Sequence, residues 1–140
     1  MFHYVPILLL LSAVNPTGAA IDACLKPVME AGSRERAPFQ CAFDEARTSG
    51  QLDLAIEKVE ATLVAHPHAL WGRHTLGNLL KTKGDFGEAV EHFELSVQGF
   101  REDGHAEGQV MGLLSLALVY GAMGAVGTVE APLAQAGQLA

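Results

Sequence analysis

The feature that most restricts what this chain can fold into is a pattern that occurs twice, 34 positions apart. The first copy runs from Ser49 to Val59 and the second from Lys83 to Phe93. Adding 34 carries Gly50 to Gly84, Leu52 to Phe86, Ala55 to Ala89 and Val59 to Phe93. A fixed period of this length marks a helical solenoid, in which each unit buries its apolar face only against a neighbour. Solenoids mostly hold other proteins and rarely perform chemistry themselves.

The periodicity around these copies is helical. Phe39, Ala42, Phe43 and Ala46 follow the i, i+3, i+4, i+7 spacing of one helix face. Ser49-Gly50 forms a turn, and Leu52, Ala55, Ile56, Val59, Thr62 and Leu63 make a second apolar face that His66-Pro67 ends. In the next unit Trp71, His74 and Asn78 share one side of a helix that Gly84 stops. Phe86, Ala89, Val90, Phe93, Ser96 and Val97 supply the buried stripe of its partner. Glu88, His92, Glu91 and Leu95 are assigned to the solvent side. A third unit, Leu116 to Val126, echoes Leu76 to Phe86 at a spacing of 40, with six extra positions expected around Arg101 to Gly108. Pro132 falls inside the last helix unless that helix starts late, with Thr128 as its cap.

The stretch from Leu76 to Phe93 resembles the tetratricopeptide repeat. It has the Leu76-Gly77 pair, the Gly84-Asp85-Phe86 turn, Ala89, and an aromatic residue four positions later at Phe93. The expected fold is an all-α, TPR-like solenoid of about three helical hairpins, over residues 36–69, 70–109 and 110–140. Gly77 and Ala89 are expected at a close helix contact, where a larger side chain overpacks. The resemblance also implies a concave groove lined by the first helix of each hairpin. Carried over by position, the groove residues are Gln40, Asp44 and Arg47; then Trp71, His74, Asn78 and Lys81; then Met111, Leu114 and Leu118. Asn78 sits where the family often places an amide that grips a ligand's backbone, since an amide both donates and accepts. Two readings of Trp71 stand side by side, a partner contact or packing against the first repeat. For His74 and Lys81 the alternative to a partner contact is a solvated face. The expected groove is polar at one end and apolar at the other, suited to a peptide or helix of another protein.

The N-terminus reads as an export signal over residues 1–20. Tyr4 to Val14 is apolar apart from Ser12, Asn15-Pro16-Thr17-Gly18 breaks it, and Gly18 and Ala20 supply the small residues for cleavage. The apolar core is shorter than the roughly 20 residues of a bilayer span, so no integral span is expected after cleavage. Residues 21–35 form a lead-in in which Asp22 caps a helix limited by Pro27 and stopped by Gly32-Ser33. In an exported chain, periplasmic or secreted, the two cysteines Cys24 and Cys41 read as a disulfide, with two free thiols as the alternative. Ile21-Asp22-Ala23-Cys24 also has elements of a lipid-anchoring box, although Asp22 fits that pattern poorly.

The net charge of −7 argues against a nucleic-acid groove, which needs a basic face to displace counterions from phosphate. No Gly-rich phosphate loop or nucleophile elbow occurs. His66-Pro67-His68, with His74, is the nearest approach to a metal set, but it lacks the further ligands zinc requires. Glu57, Glu60, Glu88, Glu91 and Glu94 fall on outer helix faces. The sequence therefore predicts neither an enzyme nor a cofactor. It leaves open a homo-oligomer formed through the apolar third unit, and an interaction segment that belongs to a larger effector protein.

Overall fold

The computed structural model describes residues 18–125 and 128–139. Among these there are seven helices and no strand: α1 (Ala19–Ala31), α2 (Ala37–Ser49), α3 (Leu52–Ala65), α4 (Leu70–Lys83), α5 (Phe86–Glu102), α6 (Ala106–Ala122) and α7 (Glu130–Leu139). The export-signal reading rests mainly on residues 1–17, outside the described residues. Its cleavage point after Ala20 falls in the first turn of α1, next to the fully buried Ile21.

The 34-residue period reappears in the helix boundaries. α2 ends at Ser49 and α4 at Lys83, while α3 starts at Leu52 and α5 at Phe86. Both turns hinge on a glycine with positive φ, 72° at Gly50 and 100° at Gly84, a conformation other residues adopt only at a cost. The N–H groups of Gly84 and Asp85 both donate to the carbonyl of Leu80, satisfying the helix end before the chain reverses. Each helix packs on the next, and first helices also meet across the hairpins: α2 touches α4, and α4 touches α6.

The six extra positions of the third unit lengthen the helices on both sides of the expected region, Arg101 to Gly108, and not the loop within it. α5 and α6 have 17 residues each, against 14 in α3 and α4, so each gains three. The loop between them shrinks from four residues (66–69) to three (103–105), and Met123 adds one before Gly124. Pro132 lies in the first turn of α7, where its missing N–H costs nothing. Thr128 does not cap that helix; its hydroxyl donates back to the carbonyl of Ala125 at 2.7 Å.

One buried cluster runs through the helices from Ile21 to Ala136. Close approach of α4 and α5 depends on Gly77, where a Cβ would lie 2.7 Å from the Phe93 ring. Such a contact forces the ring or the helix to move. At the N-terminal end, α1 starts before Asp22, so Asp22 is not the cap. Its carboxylate instead accepts from Lys58 Nζ of α3 at 2.8 Å. Cys24 of α1 is bonded to Cys41 of α2, with their Cα atoms 5.5 Å apart. The disulfide and the ion pair thus fasten α1 to both helices of the first hairpin.

Candidate protein-binding face

The residues expected to line a groove come from α2, α4 and α6, and the contacts between these helices set them side by side. On α2, Gln40, Asp44 and Arg47 are exposed. Gln40 Nε2 donates to Asp44 Oδ1 at 3.1 Å, and the Arg47 guanidinium lies 5.5 Å from the Phe43 ring centre. On α4, Asn78 and Lys81 are half-buried. The Asn78 side-chain amide makes no hydrogen bond among the described residues, so donor and acceptor both remain free for a partner backbone. On α6, Met111 is half-buried, whereas Leu114 and Leu118 are 40% and 62% exposed. The strip therefore changes from charged and amide groups on α2 and α4 to bare leucine on α6.

Two of the sequence-derived groove residues belong to the interior. Trp71 is 6% exposed and His74 is 2% exposed. The cause is the central position of α4, which has α2, α3, α5 and α6 around it. On the side of α4 shared by Trp71, His74, Asn78 and Lys81, only Asn78 and Lys81 emerge, and the positions one or two turns earlier do not. Trp71 packs against Phe100 of α5, with centroids 4.8 Å apart, and meets His105, the residue capping α6, at 6.0 Å. The Arg36 guanidinium covers it at 4.9 Å, a geometry in which the ring face attracts the cation. Trp71 thus cements the ends of successive units.

His74 lies edge-on to Trp71 at 5.5 Å and to Phe93 at 5.3 Å, and its buried Nδ1 has no hydrogen-bond partner. Burial lowers its pKa to about 4, with further lowering by the charges of Arg36 and Lys81. His92, assigned to solvent by its spacing, is also turned partly inward with Nδ1 unpaired. Burial is the main cause of its lowered pKa, followed by the charge of Arg73. Neither histidine is placed to bind a partner in its protonated form near neutral pH.

The structure adds groups that spacing did not reveal. His105 Nδ1 accepts from the Gly108 N–H at 2.9 Å and so caps α6, and its place three residues before Gly108 was the available signal. Arg36 gave no signal, since its role depends on an aromatic residue 35 positions away (71 − 36). Tyr120 donates to Glu94 at 3.3 Å, and burial with this carboxylate raises the pKa of the phenol. The glutamates Glu57, Glu60, Glu88, Glu91 and Glu94 are exposed. His66 and His68 sit in the loop before α4, and no group of three or more potential metal ligands forms among the described residues. No helix among them is long and apolar enough to cross a membrane. No family model, curated protein or solved structure matches the chain.

Proposed function

We propose that this chain is an exported, tetratricopeptide-like interaction module that holds a peptide or helix of another protein on the face formed by α2, α4 and α6. The observation that carries the reading is the 34-residue displacement of the turn within each hairpin, from Ser49–Leu52 to Lys83–Phe86, together with the contacts of α2 with α4 and α4 with α6. That combination is what a stack of hairpins with its first helices on one side requires. The partner-contacting set is Gln40, Asp44, Arg47, Asn78, Lys81, Met111, Leu114 and Leu118, with Trp71 and His74 acting from beneath as packing. A disulfide between Cys24 and Cys41 is compatible with export, because such bonds persist in oxidising compartments. On this reading the protein binds and does not catalyse, and needs no cofactor.

The exposure of Leu114 and Leu118 favours a second reading, in which α6 pairs with another copy of the chain. The test is a crosslinking pull-down from the exported fraction, with the wild type beside an Asn78→Ala/Lys81→Ala/Leu118→Ala variant shown to be folded by circular dichroism. A single protein captured by the wild type and lost by the variant supports the groove. Equal capture by both contradicts it. Recovery of the bait alone, with a mass that doubles with concentration in sedimentation, favours self-association.

A further inference from the structure

Two clefts of nearly equal volume open between consecutive second helices. One, of about 510 Å³, lies between α3 and α5 with α4 beneath; the other, of about 520 Å³, lies between α5 and α7 with α6 beneath. They are the same place in successive repeats. Adding 34 carries Glu60, Leu63, Val64 and Pro67 of the first cleft to Glu94, Val97, Gln98 and Arg101 of the second. Adding 40 carries Arg73, Leu76, Glu88 and His92 to Leu113, Leu116, Thr128 and Pro132. Every lining residue of the first has its counterpart in the second, so the repeat itself generates the cleft. The residues that differ decide what each can take.

In the first cleft Glu60, Glu88, Arg73 and His92 surround an apolar floor of Leu63, Val64 and Leu76. In the second, Leu113 replaces the arginine, Pro132 the histidine and Thr128 a glutamate; this removes charge but not polarity, since Gln98, Tyr120, Thr128 and Gln135 line it beside Val97, Leu113, Leu116 and Pro132. Its Glu94 already accepts from Tyr120, and the nearby Glu102 accepts from Gln98 Nε2 at 3.3 Å. Arg101, which stands where the first cleft has Pro67, makes no ion pair among the described residues. Glu94 and Arg101 are two turns apart on α5, about 10 Å, so an anion at Arg101 is clear of the Glu94 carboxylate. A concave cleft of a few hundred Å³ that combines an apolar floor with a few convergent polar groups is a common form of small-ligand site. A guanidinium at its rim matches a carboxylate through two parallel hydrogen bonds.

We infer that the cleft between α5 and α7 binds a small apolar monocarboxylate, with its stem on Val97, Leu113, Leu116 and Pro132 and its carboxylate at Arg101. A medium-chain fatty acid and the C-terminal residue of an apolar peptide share this chemistry. The site is independent of the first-helix face and of whatever partner that face holds.

Titration of the isotope-labelled chain with octanoate, octanamide and N-acetyl-leucine, followed by amide chemical shifts, tests the inference. Octanoate or N-acetyl-leucine is expected to shift Gln98, Arg101, Leu116 and Gln135, and the tighter of the two identifies the source. Octanamide should bind about two- to fivefold more weakly than octanoate, the factor for losing one exposed charge-assisted contact. Arg101→Gln should erase that difference. Ala131→Phe, on the exposed wall of α7, should block all three ligands while leaving the remaining spectrum unchanged. Equal binding of acid and amide, an acid preference that survives Arg101→Gln, no shifts at all, or shifts confined to α3 or to Leu114 and Leu118, would overturn it.

Discussion

Replacing His74 with leucine should remove a large part of the protein's sensitivity to acid. The imidazole is 2% exposed, lies between Trp71 and Phe93, and has Arg36 and Lys81 as its nearest cationic influences. Its pKa is lowered from 6.5 to about 4 in the folded chain. Folding therefore favours the neutral ring, while the unfolded chain takes up a proton once the pH falls through 6.5. The stability tied to neutral His74 is complete above pH 6.5, is lost as the pH falls towards 4, and changes little below that. Integrating the linkage gives a loss of about 1.4 kcal/mol between pH 7.5 and 5.5, and of about 3 kcal/mol by pH 4. Urea unfolding of wild type and His74→Leu at pH 7.5, 5.5 and 4.0 measures this as a difference of differences, in which His92 and the carboxylates cancel. The wild type should weaken relative to the variant by those amounts. At pH 7.5 the variant should be at least as stable, because it removes a buried Nδ1 with no partner. Parallel loss of stability in the two proteins would refute the argument.

Other consequences are equally direct. Gly77→Ala should destabilise by about 1–2 kcal/mol, as overpacking against Phe93 outweighs the gain in helix propensity. Gly121→Ala, in α6 with nothing within 4 Å of its added Cβ, should stabilise by up to about 1 kcal/mol; both are read from thermal melts. Reducing the Cys24–Cys41 bond should cost about 3 kcal/mol in the chain-entropy picture for a 17-residue separation, measured by urea unfolding with and without reductant. Trp71→Ala should cost about 3–5 kcal/mol as a core truncation, so a loss of binding by that variant would report a damaged fold rather than a lost contact.

Much of the fold was legible because it depends on local rules. Gly50 and Gly84 announce their turns through the backbone conformation they permit, and Phe86 to Val97 announces α5 through its 3.6-residue stripe. The third unit was harder to read because its six extra residues went mostly into longer helices, which preserve the pattern while shifting the register. The candidate face misreads at two positions, Trp71 and His74, which the structure buries. Gln40 and His74 occupy the same register position (40 + 34 = 74), yet one is exposed and the other buried. Position in a repeat fixes which side of a helix a residue takes, but not how many neighbours that helix has. For α4, surrounded by four others, the second quantity decides the fate of Trp71 and His74. The clefts between second helices were invisible for a related reason. They arise where α5 and α7 flank α6, and no short stretch of sequence contains that gap.

The central claim is that a different protein is held on the face of α2, α4 and α6. The most direct test places a photo-crosslinking residue at Asn78 or Leu118, and in parallel at Glu57 or Glu91 on the second helices, in cells that make and export the chain. The account predicts one adduct with a different protein, formed from positions 78 and 118 and absent from 57 and 91. Adducts formed equally from all four positions, or only with a second copy of the chain, would contradict it.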